Sequence, residues 1–498
     1  MRHASAMGTE DAAGFINRLQ ALDSDPFAPA RGLFERDTEV VVARAPGRLD
    51  VMGGIADYSG ALVLQWPIRE ATCAAVQVHP ERVLRIVSLS DTGTSRHCTV
   101  PLDAIAPGGS PASYAAARAW FSADAERHWA AYVAGAWLVL ARARGLPLVM
   151  GARVAVQSAV PEGKGVSSSA ALEAAVMQAL TSAARLDVPP RDMALLCQQV
   201  ENLVVGAPCG VMDQMAAIHG EKGRLMALLC QPAEFEGTVP IPGSLAVWGI
   251  DSGIRHAVSG ADYGSVRLGA FMGYRVLAAL AGLRVYPGAR DGHVRIDDPR
   301  WHGYLANVTP EEFDAHAAEI PERMLGTDFL ARYGGTTDRV TIVDPATMYA
   351  VRTPARHPIA EQRRVMRWRQ QLEAFAGRDP DDLAAELGAL MYESHASYSA
   401  CGLGSGGTDD LVALARAAGA ERGIYGAKIT GGGSGGTVAL LARADAAGTV
   451  EEIAAEYAQR SGRTAYVFSG SSDGAAVFGT RRISLGAGAS HPKRGSTA

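Results

Sequence analysis

The sequence predicts an α+β protein of two domains. Three observations carry that prediction. β-branched runs and runs of helical period follow one another in mixed order, not as a strict strand–helix series. The 498-residue length suits two or three domains, and 48% hydrophobic with 20% charged residues is a globular composition. Of the 56 glycines, 18 fall in five segments totalling only 52 residues. Those segments lie between the periodic runs, where a backbone must turn or approach a ligand closely.

Residues 1–38 mix a helical pattern at 12–22 with Pro26, Pro29 and Gly32, and read as an accessory segment. Residues 39–44 are β-branched and strand-like, and 62–67 and 74–78 are two further short strands. An apolar run of helical length covers 129–143, and 151–157 alternates as a strand does. Helices are expected at 170–185, with three serines before it as caps, and at 191–205, ended by Gly206 and Pro208. A strand at 245–250 opens the second domain, with the boundary near 243. Helices follow at 262–283, 359–376 and 381–394. Between them, 285–358 holds seven prolines and reads as an irregular insertion. Strand 424–429, a glycine loop, strand 437–442, helix 445–460 and strand 465–469 complete a domain spanning 244–485. The polar residues 486–498 read as a flexible tail.

Composition excludes whole classes. A net charge of −5 offers no basic field for nucleic acid. The longest apolar run, 130–141, is short of the roughly 20 residues that span a membrane. The N-terminus lacks an apolar signal core, and six scattered cysteines without a C-x-x-C pair read as reduced thiols. A cytoplasmic location is the expectation, and nothing in the sequence speaks to oligomeric state.

Four segments carry chemistry. RAPGRLDVMGGIADYSG (44–60) sets Arg48, Asp50 and Asp57 among turn residues after a strand. It can present a guanidinium and a carboxylate to a polyol, or be a solvated surface turn. PEGKGVSSSAALE (161–173) leads glycines into hydroxyls at a helix start, where N–H groups and the helix dipole favour phosphate. Its spacing is not that of a Walker A loop, so Lys164 reads as solvated, and an over-capped helix is the bland alternative. In GAPCGVMDQM (206–215), Asp213 sits among apolar neighbours with Glu201 upstream. A carboxylate beside Arg48 could take a proton from a hydroxyl, whereas a capping role would leave it inert. Cys209 has no flanking histidine base and reads poorly as a nucleophile. GAKITGGGSGGTVAL (426–440) formally matches G-x-G-x-x-G at Gly431, Gly433 and Gly436. It lies between two strands, which argues against a dinucleotide fingerprint but allows a loop folded over phosphates. CGLGSGGTDD (401–410) is a fifth glycine segment. His256 and His395 are isolated and make no metal motif.

Three of these segments, in this order, resemble the motifs of the GHMP small-molecule kinases, and specifically of galactokinases. CGVMDQ resembles the galactokinase catalytic aspartate motif at Asp213, APGR its arginine at Arg48, and GADY a sugar-contacting tyrosine at Tyr263. The resemblance covers roughly 39–480. It implies a ribosomal-protein-S5-like N-terminal domain, a ferredoxin-like C-terminal domain and an active site between them. It also implies ATP, Mg2+ and a small sugar as the partners of the reaction. Asp213 and Arg48 are the implied catalytic pair, and Ser169 and Glu201 the magnesium partners. Gly163, Gly165, Ser167, Ser168, Ser169, Gly431, Gly432 and Gly433 are the implied nucleotide contacts. Gly54, Ile55, Asp57, Tyr58, Gly210 and Tyr263 are the implied sugar contacts.

One departure is informative. Galactokinases read Gly-Glu-His-Thr-Asp-Tyr where this chain has GGIADY, so their glutamate and histidine are replaced by Gly54 and Ile55. Those polar side chains lie near the C6 hydroxyl end of galactose. L-arabinopyranose has the same ring configuration without C6. Apolar Ile55 suits it, because a buried polar group left without a partner costs about 1–3 kcal/mol. Residues 44–68, 248–256, 352–359 and 398–405 also resemble the kinase part of plant L-arabinokinases, and the insertion carries part of that match. The expected reaction is transfer of the ATP γ-phosphoryl group to the anomeric hydroxyl of L-arabinose. A galactokinase is the alternative, and a catalytically silent sugar-and-ATP sensor a remote one.

Overall fold

A computed structural model describes residues 10–91, 93–254, 261–374 and 378–486, with only the backbone of 261–262. His256, Gly260 and nearly all of the expected tail lie outside the described residues.

The first layer is an eight-stranded sheet. Its main path runs Thr480–Ser484, Glu39–Met52, Leu62–His79, Gly151–Ser158, Val83–Leu89, Arg96–Pro101, and strands Arg224–Leu229 and Glu234–Pro240 branch from Leu62–His79. Helices Ala131–Arg144, Ser168–Ala183, Pro190–Gln199 and Met212–His219 pack a large apolar core onto one face. The accessory segment covers the other face. Its Glu10–Gln20 helix buries Ala12, Phe15 and Leu19 against Val40, Val42 and Val87. Thr480–Ser484 pairs antiparallel with Glu39–Met52. Residues 480–484 therefore close the first sheet, a correction to their assignment within a C-terminal domain of 244–485.

Two expected breaks in this sheet are absent. Strand Glu39–Met52 runs straight through the turn signal at 46–47, so Arg48 and Asp50 stand on a strand, not a loop. Pro46 pairs with Ala71 beside a register shift against the neighbouring strand, and a bulge is where a strand tolerates proline. Likewise 62–67 and 74–78 are one 18-residue strand, Leu62–His79, bulged opposite 46–48.

The second layer is a four-stranded antiparallel sheet ordered Ile424–Ile429, Thr437–Arg443, Leu245–Asp251, Val467–Ser469. Helices Pro380–Ala400, Gly406–Ala418 and Ala447–Ser461 pack on it. The region expected to be irregular is folded. It contains hairpin Arg284–Pro287/Gly292–Asp297, helices Pro310–His316 and Gly326–Tyr333, and the Arg323–Leu325/Met348–Ala350 pair. These elements run only three to eight residues each, too short for periodicity to be read. They share a core with helices Ala261–Leu280 and Arg352–Glu373. The latter helix starts seven residues before its expected position, with Pro354 in its first turn, where proline is tolerated.

Candidate active site

A cavity of about 130 Å³ lies where loops from both layers meet. Arg48 is 3% exposed and makes a bidentate ion pair with Asp213. Its Nη2 donates to both carboxylate oxygens at 2.8 and 2.9 Å, and its Nε to Oδ1 at 3.0 Å. Its Nη1 donates to the Gly165 carbonyl at 2.6 Å, and its backbone N–H to the Val166 carbonyl at 3.1 Å. One residue therefore fixes the acid and the glycine loop together. The approach is close: a Cβ at Gly47 would overlap the Val166 carbonyl. Asp213 stands in the first turn of Met212–His219 and keeps 23% of its side chain exposed to the cavity.

The serine segment is not a set of caps. Ser167 has φ 62° and makes no side-chain bond to the helix it precedes, and its Oγ is buried without a partner. Gly163, Gly165, Ser167, Ser168 and Ser169 all line the cavity at the start of Ser168–Ala183. The uncapped N–H groups of a 16-residue helix make an anion site there. Lys164 is not solvated as expected. It pairs with buried Asp251 at 2.7 Å, while Thr437 donates to its carbonyl at 2.9 Å. The 431–436 loop from the second layer is thereby seated on 164–165.

Glu201 faces the same cavity from a π-helical turn, Val200–Val205, that continues Pro190–Gln199 and ends at Gly206. Burial and the neighbouring Asp213 charge push its carboxyl up to about 7, against hydrogen bonds from Ser169, Cys209 and Gln214. Glu173, not anticipated from sequence, is buried beside it. Gln214 donates to Glu201 at 2.7 Å and to Glu173 at 3.2 Å. Burial and the Glu201 charge push Glu173 well above the usual carboxylate range, and its Oε1 has no partner. Oxygen donors crowded so that their carboxyls resist ionising suit a hard divalent cation. Burial likewise pushes the Cys209 thiol well up, which removes it as a nucleophile.

At the other end, Ile55, Asp57, Gly210 and Tyr263 line the cavity. Asp57 is 5% exposed. Burial and then the Asp213 charge push its carboxyl up to about 7, opposed by Arg267. Arg267 is the second residue that sequence reasoning missed. It is clamped by Asp338 at 2.7 and 2.8 Å and donates to the Cys209 carbonyl at 3.2 Å. Its place four residues after Tyr263 on one helix was the available signal. Asp338 came from the insertion and had none.

Three expected contacts stand off the wall. The Tyr58 ring packs edge-on against Tyr263 with centroids 5.9 Å apart, behind the lining. Gly433 has φ 82° and backs onto Leu403, leaving Gly431 and Gly432 as the lining residues of that loop. Gly54 has φ 47° and faces the buried Tyr398 hydroxyl, which a Cβ would overlap. That hydroxyl accepts from the Ile55 N–H at 2.7 Å and donates to the Gly431 carbonyl at 3.2 Å. Asp50, on the same strand as Arg48, is fully buried in an ion pair with Lys428 and presents nothing to a ligand. His395 pairs with Asp409 at 3.1 Å.

Gly210 is packed tightly against Asp57. A Cβ there would overlap the Asp57 carboxylate. Gly210→Ala is expected to lower kcat/KM for the sugar by roughly 5–150-fold, the equivalent of 1–3 kcal/mol of overpacking. Steady-state kinetics at fixed ATP checks this, and an unchanged value would show that Asp57 is free to move.

Three family descriptions match the chain: "GHMP kinases N terminal domain" over 131–221, "Galactokinase galactose-binding signature" over 31–78 and "GHMP kinases C terminal" over 381–459. A galactokinase of Roseiflexus sp. (strain RS-1) is 30% identical over 86% of this chain and 90% of its own length. The chain belongs to the GHMP kinase family. An L-arabinokinase of Arabidopsis thaliana is 45% identical over 92% of this chain, which spans 48% of that relative's length. The fold of this GHMP kinase is similar to that of Lactococcus lactis galactokinase complexed with galactose. The TM-score is 0.68 at 21% identity, covering 92% and 99% of the two chains. Among the described residues, no helix is long and apolar enough to cross a membrane.

Proposed function

We propose that this GHMP kinase is an ATP-dependent sugar 1-kinase acting on the anomeric hydroxyl of L-arabinose. The observation that carries the reading is the Arg48–Asp213 pair, placed between an uncapped helix N-terminus and a cavity end walled by Ile55, Asp57 and Tyr263. Phosphoryl transfer asks chiefly for positioning and electrostatics, which these groups supply.

The phosphates would lie on the N–H groups of 163–169 with Gly431 and Gly432 closing over them. A second cavity of about 190 Å³ shares Gly163, Ser168 and Ser169 with the first and is walled by Trp129, Tyr132 and Leu172. Its aromatic lining suits the nucleobase. Ser169 and Glu201 would hold Mg2+, which would offset the charge of the phosphates. Asp213 would receive the 1-hydroxyl, as base or as electrostatic anchor, since its Oδ2 accepts a single bond from Arg48 and keeps a lone pair. Arg48 would stabilise charge on the transferring group. Asp57 would accept from ring hydroxyls.

The preference for L-arabinose rests on Ile55. Tyr398 holds its N–H and occupies the space beside Gly54, so the cavity wall there is apolar and an acidic side chain at 54 has no room. Competing L-arabinose, D-galactose, L-fucose and galacturonate at fixed ATP is expected to give the highest kcat/KM for L-arabinose. A buried polar mismatch sets the scale at about 1–3 kcal/mol, roughly 5–150-fold. A strong preference for D-galactose would make the protein a galactokinase. Sugar-independent ADP release, or none, would leave the sensor reading.

A further inference from the structure

The described residues contain four buried arginines, Arg44, Arg48, Arg267 and Arg275. Arg44 pairs with Asp11, Arg48 with Asp213 and Arg267 with Asp338. Arg275 is 9% exposed and pairs with no carboxylate among the described residues. Its Nε donates to the Tyr333 carbonyl at 3.1 Å, and its Nη1 is buried without any hydrogen-bond partner. Burial pushes its guanidinium below the usual range, opposed only by Tyr333.

Arg275 lines a cavity of about 550 Å³ in the insertion, outside the active site. Arg290, His293, Arg332 and Tyr286 share its wall, and Asp291 is the acidic residue there. Arg290 donates to the His293 ring at 2.9 Å and to the Arg339 carbonyl, and Arg332 lies over the Tyr333 ring at 5.2 Å. Neither has an ion-pair partner among the described residues, whereas most arginines of this acidic chain do. A buried, unpaired guanidinium is costly, and the forked donors of three arginines on one cavity wall match the several acceptor oxygens of a phosphate. The space exceeds a bare phosphate, and the half-exposed Tyr286 ring offers a face for an organic part.

We infer that this cavity is a second ligand site, which takes the phosphate of a small phosphate monoester on Arg275, Arg290 and Arg332. The site stands close to the sugar end. Arg275 follows Arg267 by eight residues on one helix, about 12 Å along its axis. Arg290 holds the carbonyl of Arg339, next to the Asp338 that clamps Arg267.

Calorimetric titration of the full chain with inorganic phosphate, in saturating non-hydrolysable ATP analogue, tests this. One binding event is expected, weakened at least about tenfold by Arg290→Gln with Arg332→Gln, because charge-assisted bonds are lost. Both side chains are exposed, so the fold should be unaffected. AMP and ribose 5-phosphate, titrated in the same way, separate a nucleotide from a sugar phosphate by which binds tighter than phosphate. No binding by any of the three, or binding unchanged in the double variant, overturns the inference. Arg275→Met supplies a second readout. Phosphate should raise the melting temperature of the wild type and not of the variant. An equal rise in both would mean that Arg275 serves packing alone.

Discussion

Asp213→Asn is expected to lower turnover by about 10²–10⁴-fold while leaving ATP affinity nearly unchanged. The substitution keeps shape and removes charge. Arg48 would then face an amide, and the amide nitrogen would compete with the sugar hydroxyl for the place beside the phosphoryl group. The proposed nucleotide contacts, on 163–169 and 431–432, are separate residues from Asp213. Single-turnover kinetics with calorimetric titration of an ATP analogue distinguishes the two effects. Near-normal turnover would remove Asp213 from the reaction. A parallel loss of nucleotide affinity would mean that the Arg48–Gly165 contact, rather than the acid, had been disturbed.

Lys428→Met carries the largest expected cost in stability, about 3–5 kcal/mol, because it strands a buried carboxylate. Lys428 and Asp50 are both fully buried and form an ion pair. Lys428 Nζ also donates to the Ile429 carbonyl at 2.9 Å. Asp50 Oδ1 accepts from Gln65 at 2.7 Å and from the Gly54 N–H at 2.9 Å, and its own N–H donates to Thr430 Oγ1 at 2.6 Å. This network bolts the Glu39–Met52 strand, which carries Arg48, to the Ile424–Ile429 strand, which leads into the closing glycine loop. Urea denaturation monitored by tryptophan fluorescence measures the loss. Adding Asp50→Leu should restore most of it, since an apolar pair can replace a buried ion pair at little net cost. A single variant as stable as the wild type would show that the pair does not hold the layers together.

The candidate site residues were legible because they lie in short local motifs. Arg48, Asp57, the three serines, Glu201, Gly210 and Asp213 all line one cavity, as expected from segments separated by up to about 165 residues. Glu173 was not legible, since it sits in a regular helix where nothing local separates a functional from a solvated charge, and Arg267 offered only its spacing four residues after Tyr263. Asp50, expected on a loop, and Lys164, expected to be solvated, were misread because their partners are distant in sequence. Each finds its partner more than 80 residues away, at Lys428 and at Asp251. In the fold, strand and helix positions followed period and propensity. The long strand through Pro46 did not, because a bulge against its neighbour makes a turn signal harmless. The insertion escaped reading because its short elements are stable only on a shared core.

By itself the sequence determined the fold class and the family motifs, which are written in spacings of a few residues. It also placed an apolar Ile55 and a side-chain-free Gly54 where galactokinases carry polar groups. Only the tertiary structure decided what those two positions do. Ile55 reaches the cavity, whereas Gly54 is turned away from it and makes room for the Tyr398 hydroxyl, from a helix more than 340 residues on. Among the described residues it likewise left Arg275 without a carboxylate while pairing the other buried arginines. The reason is physical: a side chain's charge partner, burial and direction depend on what the chain brings beside it from far away.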